Sequence, residues 1–159
     1  GKRKLKKADC KITKKYKMKS LSRTKEFLKE LGEELSYIEE AEEMMNQMIF
    51  YAKKDENHTL QEFEKADKVP GCVSGVYVKI MSQNPLLLKT RSESLVVRGY
   101  VHLMKRAIEN LPKDNVAEGI DLFEKFAQEH NMIQGTLATR ANSVYNISMF
   151  IKEKLGMSS

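Results

Sequence analysis

Apolar residues recur three and four positions apart along most of the chain, the spacing expected for one face of an α-helix. The longest of these stripes predicts a single helix of roughly thirty residues beginning just after residue 20. Its members are Leu28, Leu31, Leu35, Ile38, Met45, Ile49 and Ala52. Glu42 lies in line with the stripe but is charged. We interpret it as a break that either costs stability or marks where the stripe rotates to face a new neighbour.

Similar stripes in the second half of the chain predict three more helices. Their members are Val96, Tyr100, Leu103, Ala107 and Leu111, then Val116, Ile120, Phe123 and Ala127, then Leu137, Ala141, Val144, Ile151 and Leu155. Pro112 ends the first of them, and Gly156 is a natural stop for the last. A short helix is also expected before Pro70–Gly71, because Thr59 and Glu62 have the spacing of a capping box.

The segment 72–81 fits two patterns. Val76, Val78 and Ile80 alternate as in a β-strand, but the same stretch also has helical spacing. Since a lone strand would have no partner elsewhere in the chain, we predict a helix here. Asn84–Pro85 then resembles the start of the helix that carries the stripe from Val96 to Leu111, with Asn as cap and Pro in the first turn. The predicted fold class is therefore all-α: a compact bundle of five to six helices spanning residues 20–159.

Positive charge is concentrated at the N-terminus. Residues 1–19 carry a formal charge of +9, whereas the whole chain carries +6, so residues 20–159 carry −3. We predict that residues 1–19 form a flexible, disordered basic arm. Its basic residues are Lys2, Arg3, Lys4, Lys6, Lys7, Lys11, Lys14, Lys15, Lys17 and Lys19. Such an arm is typical of a nuclear import signal or a non-specific nucleic-acid contact, and an anionic membrane surface or a solvated linker remain alternatives.

Methionine is the second unusual feature, with nine residues in the chain. Met44, Met45 and Met48 cluster with Tyr51 near the end of the long predicted helix. Methionine fills irregular gaps in protein cores, and it also lines surfaces that adapt to several partners. These four residues are therefore either core or a partner-binding surface.

The sequence shows no recognisable catalytic or metal-binding pattern. Phosphate-binding glycine loops, zinc-protease motifs and paired CxxC motifs are all missing from it. The two cysteines, Cys10 and Cys72, and three histidines have no familiar zinc spacing. We interpret the cysteines as incidental reduced thiols, with a single Cys10–Cys72 bridge as the minority alternative. The chain is accordingly expected to be no enzyme and to need no cofactor or metal.

Together these features suggest a non-enzymatic protein–protein interaction domain of a larger, intracellular and nuclear protein associated with transcription or chromatin. Its expected partner is another protein that contributes an amphipathic helix or an extended peptide, while the arm adds import or nucleic-acid contact. Two alternatives stay open: a secreted helical cytokine-like factor and a peripheral membrane adaptor. No apolar run is long enough to predict a transmembrane segment.

Overall fold

The computed structural model describes residues 17–72, 75–133 and 141–157, with the backbone alone for residues 141–143. Within these ranges the chain forms five α-helices and one two-stranded antiparallel sheet. The helices are α1 (Leu21–Leu35), α2 (Ala41–Ala52), α3 (Leu95–Ile108), α4 (Lys113–Glu129) and α5 (Ala141–Lys154), and the strands are β1 (Val76–Gln83) and β2 (Leu86–Ser92). The prediction of an all-α bundle is therefore wrong, because the fold is mixed α and β.

The predicted long helix is two helices, α1 and α2, joined by a turn at residues 36–40. The turn has no Gly or Pro to signal it, and its Tyr37 side chain is 86% exposed. Glu42 lies in the first turn of α2, together with Glu43. Carboxylates are favoured there by the partial positive charge of a helix N-terminus. The charged residue in the stripe thus marks the start of a second helix.

The predicted helix over residues 72–81 is also wrong, since most of this segment forms strand β1. Its partner is β2, which the sequence had suggested was the start of a helix. The strands pair antiparallel, with Val76 opposite Ser92 and Val78 opposite Thr90, and Asn84–Pro85 forms the hairpin connection between them. Alternate residues of β2 are buried, which gives the hairpin one face toward the core.

The segment between α2 and β1 runs as an irregular strap with two single-turn 3₁₀ helices, Leu60–Glu62 and Lys65–Asp67. The predicted capping interaction is confirmed, because the Thr59 N–H donates to Glu62 Oε2 at 2.8 Å. The helix that it caps is only one 3₁₀ turn long. The second turn is closed in the same way, by the Glu64 N–H donating to Asp67 Oδ2 at 2.8 Å.

Helix α3 is central to the packing. It contacts α1, α2, α4 and strand β2, and α5 packs against β1. Gly99 on α3 allows the closest approach, because a Cβ at this position would overlap the Met48 carbonyl group of α2. The largest fully buried side chains include Tyr100, Phe123, Met48, Leu103 and Ile120. No helix in the described ranges has the length and apolar character needed to cross a membrane.

Candidate functional site

A short loop precedes strand β1 and is closed at its base by backbone pairing. The Val69 N–H donates to the Val76 carbonyl oxygen at 2.9 Å, and Lys68 pairs with Tyr77 in an antiparallel bridge. Both valine side chains are buried in the core. The two ends of the loop are therefore anchored, and Pro70, Gly71 and Cys72 follow the first of them. Loops held by a rigid scaffold commonly carry functional side chains.

Cys72 lies in this loop, immediately after Gly71. Its side chain is half-buried and packs against the edge of the hydrophobic core. It also lines an open surface groove of about 600 Å³, whose other lining residues are Lys65, Lys68, Val69, Pro70 and Gly71. A cysteine thiolate is a strong nucleophile. The groove thus presents a soft nucleophile at the protein surface.

Two lysines give the groove positive charge. Lys65 and Lys68 are both exposed and both come from the strap before the loop. The strap is held by its capping interactions and by Arg91 of β2, whose Nη1 donates to the His58 carbonyl oxygen at 3.0 Å. Nearby cations stabilise the thiolate form of a cysteine. The positive charge of the two lysines therefore favours anions in the groove.

The loop borders helix α5. Gly71 has a φ of +76°, in the left-handed region that side chains other than glycine rarely adopt. A Cβ at residue 71 would lie 2.6 Å from Asn146 Nδ2. Glycine is therefore required here both by backbone conformation and by the side chain of α5 that lies against it.

A second cluster of polar side chains is buried elsewhere, between α3 and the residues that follow α2. Asp55 Oδ1 lies 2.8 Å from Lys105 Nζ and 3.1 Å from His102 Nδ1. Burial by itself would raise the pKa of Asp55, but the His102 hydrogen bond and the Lys105 charge outweigh it and hold the pKa below its usual value. The cluster is fully paired and lines none of the described grooves, so we assign it to stability.

No metal centre is formed by the part of the chain that the structure describes. There, no group of three or more His, Cys, Asp and Glu side chains is arranged to hold an ion. Cys10 lies outside the described residues. The predicted incidental thiols and the alternative Cys10–Cys72 bridge therefore both stay untested.

Of the ten basic residues predicted for the arm, the structure describes only Lys17 and Lys19. Lys17 is exposed, whereas Lys19 is partly buried, with its N–H donating to the Asn110 carbonyl at 2.8 Å. Its Nζ donates to the Arg106 carbonyl at 2.7 Å. Burial lowers the pKa of Lys19 to about 8. The other eight, Lys2, Arg3, Lys4, Lys6, Lys7, Lys11, Lys14 and Lys15, lie outside the described residues.

The predicted partner surface lies mostly inside the protein. Met44, Met48 and Tyr51 are 2%, 0% and 3% exposed, and Met45 is partly buried. The Tyr51 hydroxyl donates to Glu34 Oε2 at 2.7 Å and so joins α2 to α1. Of the two roles that the sequence left open, their burial favours the core. All four residues lie on α2, whereas Cys72 lies in the loop before β1.

Sequence reasoning missed Cys72 as a functional residue, since it tested the cysteines only for disulfides and zinc. One signal was available in Pro70-Gly71-Cys72 followed by Gly75, a breaker-rich stretch directly before an alternating apolar segment. Such a stretch places a cysteine in a surface turn next to a strand.

Two comparisons with known proteins bear on this site. A family model described as "SufE: Fe-S metabolism associated domain" matches residues 29–155. The chain is also 28% identical over 109 residues to an uncharacterized SufE-like protein of Synechocystis, an alignment covering 68% of this chain and 67% of that protein. The family match includes the whole Cys72 loop, the strap before it and α5.

These matches overturn the function predicted from the sequence. A nuclear, transcription-associated interaction domain with nucleic-acid contact is wrong, because the family is associated with Fe-S metabolism and sulfur transfer. The nuclear location is wrong for the same reason, and the two alternative functions lose their basis. The coarser expectation of a protein partner is confirmed, since domains of this family interact with another protein.

Proposed function

The chain belongs to the SufE family of Fe-S metabolism associated domains, and from this membership we propose that it accepts sulfur on Cys72 from a cysteine desulfurase. Proteins of the family act as sulfur-transfer partners of that enzyme. The observation that carries the proposal is the position of Cys72, on an anchored surface loop and beside a groove with two lysines. A carrier needs a thiol that both a donor and an acceptor can reach.

The proposed reaction is an exchange at sulfur. The Cys72 thiolate attacks the outer sulfur of a persulfide on the donor protein, so that a new S–S bond forms at Cys72. The S–S bond of the donor breaks, and its cysteine leaves as a thiolate. The hydrogen stays on the transferred sulfur, and no oxidant or reductant is consumed. This is the same substitution at sulfur that governs thiol–disulfide exchange, and persulfidation of a thiol is reversible.

Lys65 and Lys68 support this exchange through their charge. Both the attacking thiolate and the deprotonated persulfide product carry negative charge, which lysine ammonium groups in the groove stabilise. From the sequence we expected a partner that contributes an extended peptide. In this proposal, that peptide is the segment of the desulfurase that carries the persulfide into the groove.

In this proposal the desulfurase breaks the carbon–sulfur bond, and the chain carries the released sulfur onward. We therefore propose, in line with the sequence analysis, that the chain acts as a sulfur carrier rather than as an enzyme. The protein is proposed to handle sulfur rather than a cluster of its own, since iron–sulfur clusters are typically held by four thiolates and the sequence has two cysteines.

The test is transfer of labelled sulfur to single-cysteine variants. Cys10→Ser and Cys72→Ser proteins are incubated with a cysteine desulfurase and ³⁵S-cysteine, then separated on non-reducing gels. We expect the Cys10→Ser protein to gain label that dithiothreitol removes, and its intact mass to increase by one sulfur atom. The Cys72→Ser protein should gain none, because the accepting thiol is missing. Label on Cys72→Ser at the level of Cys10→Ser would contradict the proposal.

A further inference from the structure

The strap that carries Lys65 and Lys68 combines charges of both signs, but only its lysines line the groove beside Cys72. Residues 64–68 have the sequence Glu-Lys-Ala-Asp-Lys, in which two acidic side chains balance two basic ones. Lys65 and Lys68 line the groove, whereas Glu64 and Asp67 do not. The folded strap therefore separates charges that cancel in the sequence.

The 3₁₀ turn Lys65–Asp67 accounts for this separation. The Glu64 N–H donates to Asp67 Oδ2 at 2.8 Å, which holds the Asp67 carboxylate against the start of the turn. Asp67 is also partly buried, whereas both lysines are exposed. Neither lysine forms an ion pair with a residue that the structure describes. Their charges are therefore available to a ligand in the groove.

The strap is held against strand β1 at several points, which fixes the backbone that carries the lysines. Lys68 pairs with Tyr77 in an antiparallel bridge, and the rings of Phe63 and Tyr77 lie with their centroids 5.6 Å apart. Arg91 lies opposite Tyr77 in the sheet and donates from Nη1 to the His58 carbonyl oxygen at 3.0 Å. The positive charge is thus presented from an anchored segment.

The remaining lining residues of the groove contribute no charge of their own. They are Val69, Pro70, Gly71 and Cys72. A ligand that enters the groove therefore meets a formal charge of +2 from its described lining residues. A volume of about 600 Å³ lies within the range of ordinary ligand sites and leaves room for more than the reacting sulfur atoms. Residues beside the donor sulfur are thus exposed to the lysine charges.

We propose that Lys65 and Lys68 make this site selective for a donor segment in which acidic residues flank the persulfide. The inference rests on the proposed role of Cys72 in sulfur transfer, and it adds the chemical character of the partner's segment. Carboxylates beside the persulfide are attracted by the two lysines, whereas lysine or arginine at the same positions is repelled. Complementarity of this kind acts on the rate of encounter and on the choice between partners.

Three short peptides test the selectivity without a desulfurase. Each carries one cysteine as a thiopyridyl disulfide, flanked on both sides by Asp, by Asn or by Lys residues. The Cys72 thiolate attacks the peptide sulfur, a peptide–Cys72 disulfide forms, and the thiopyridyl group leaves and takes up a proton from water. The absorbance of the released pyridine-2-thione gives the rate. The full chain is used with Cys10→Ser, so that one thiol reports.

We expect the acidic peptide to react at least about threefold faster than the Asn peptide at low salt, and the Lys peptide to react more slowly than both. Each exposed lysine contributes only a modest Coulomb attraction, so the preference is limited in size. In 1 M salt, where charges are screened beyond about 3 Å, the three rates should converge. Equal rates at low salt, or a Lys peptide that reacts fastest, would overturn the inference.

A pair of double variants locates the source of the preference. Lys65→Met with Lys68→Met should abolish it, whereas Lys25→Met with Lys29→Met, the same change at two exposed lysines of α1, should leave it intact. Both proteins should unfold near the wild-type midpoint, because all four lysines are exposed. An equal loss of preference in the two variants would assign it to the net charge of the chain and contradict a role for the groove.

The separation of charge within the strap has its own test. Asp67→Asn removes the carboxylate charge but keeps an oxygen that can accept the Glu64 N–H. Because Asp67 does not line the groove, the ratio of acidic to Asn peptide rates should rise by a smaller factor than Lys68→Met lowers it. Changes of equal size would show that the Asp67 carboxylate cancels the lysine charge in the groove, and the inference would then be wrong.

The charge selectivity and the sulfur-transfer role fail separately. The peptide rates need no desulfurase, so they test the groove alone. If ³⁵S reached the Cys72→Ser and Cys10→Ser proteins equally, the transfer role would be refuted while the peptide rates still described the groove. If ³⁵S reached Cys72 but the peptides reacted at equal rates, the transfer role would stand and the selectivity would be refuted.

Discussion

Asp55 carries a buried negative charge whose two partners both come from α3. Its side chain is 2% exposed and lies within hydrogen-bond distance of Lys105 and His102. Lys105 is itself nearly buried. Removing one member of such a pair leaves the other as an uncompensated charge inside the protein, which is strongly destabilising. This cluster joins the end of α2 to α3 at the level of single side chains.

We expect Asp55→Asn to lower the free energy of unfolding by about 3 kcal/mol at neutral pH, because Lys105 loses its counter-charge. The pKa of Asp55 is lowered in the folded protein. Its contribution is thus present above the ordinary carboxyl pKa and is lost as the pH falls through the lower folded value. The difference between wild type and Asp55→Asn should therefore shrink in acid. Urea unfolding at a series of pH values measures it.

The control for this prediction is Glu118→Gln, which changes an exposed carboxylate on α4. It should alter stability by no more than about 0.5 kcal/mol, as is usual for surface substitutions. A difference between wild type and Asp55→Asn that stayed constant from neutral pH into strong acid would show that the Asp55 charge does not stabilise the fold.

At the scale of elements, helical periodicity located α3, α4 and α5 but could not find where the long stripe was interrupted. The stripe continues past the turn because its later members, Ile38, Met45 and Ile49, still pack partly buried against the same core as Leu35. The three- and four-residue spacing of apolar residues shows which side chains face the core. It does not show whether the chain turns between one helix and the next. Without Gly or Pro at residues 36–40, the acidic residue Glu42 was the remaining sign of a second helix.

The hairpin was missed for a related reason. Strand β2 turns Leu86, Leu88, Thr90 and Ser92 inward, so two of its four core-facing residues are polar. Its outward residues include Leu87. The alternation of apolar and polar residues that identifies a half-buried strand is therefore blurred. Because the partner strand was not recognised, the alternation in β1 was interpreted as a helix.

The crossing of α2 and α3 depends on a glycine, and we expect Gly99→Ala to destabilise the protein by about 3 kcal/mol, the upper end for overpacking. Its Cβ would overlap the Met48 carbonyl, which belongs to backbone and cannot move without shifting α2. Gly119→Ala on α4 is the matched control. There the Cβ would meet the end of the Leu111 side chain at 2.7 Å, and a side chain can move aside.

Thermal and urea unfolding of the two variants provide the comparison. The loss for Gly99→Ala should clearly exceed that for Gly119→Ala, although alanine has the better helix propensity at both sites. Equal losses would mean that α2 can move away from α3 at little cost.

For the whole molecule, the sequence separated the basic N-terminal segment from a mildly acidic body, but within both it pointed to residues other than the candidate site. Charge and methionine content drew attention to residues 1–19 and to α2. The candidate site is a single cysteine, and its importance comes from the loop, strap and helix around it. That surrounding structure is assembled from residues 65–72 and Asn146, far apart in the chain. No local pattern in the sequence could have brought them together.

The boundary between the basic segment and the body can be tested by truncation, because the described contacts of that segment include Lys19. Its backbone N–H and its Nζ donate to carbonyl oxygens of Asn110 and Arg106, next to the end of α3. We expect a protein lacking residues 1–19 to be about 2 kcal/mol less stable than one lacking residues 1–16, at about 1 kcal/mol per lost hydrogen bond. Urea unfolding measures the difference.

Both truncated proteins should accept sulfur on Cys72 equally well, since the family match begins only at residue 29. Lys19→Ala in the full chain supplies the control, because it removes the side-chain bond and keeps the backbone one. Its loss should therefore be smaller than the difference between the two truncations. Truncations of equal stability would place the start of the folded body after Lys19, as the sequence predicted, and would make the two Lys19 hydrogen bonds energetically neutral.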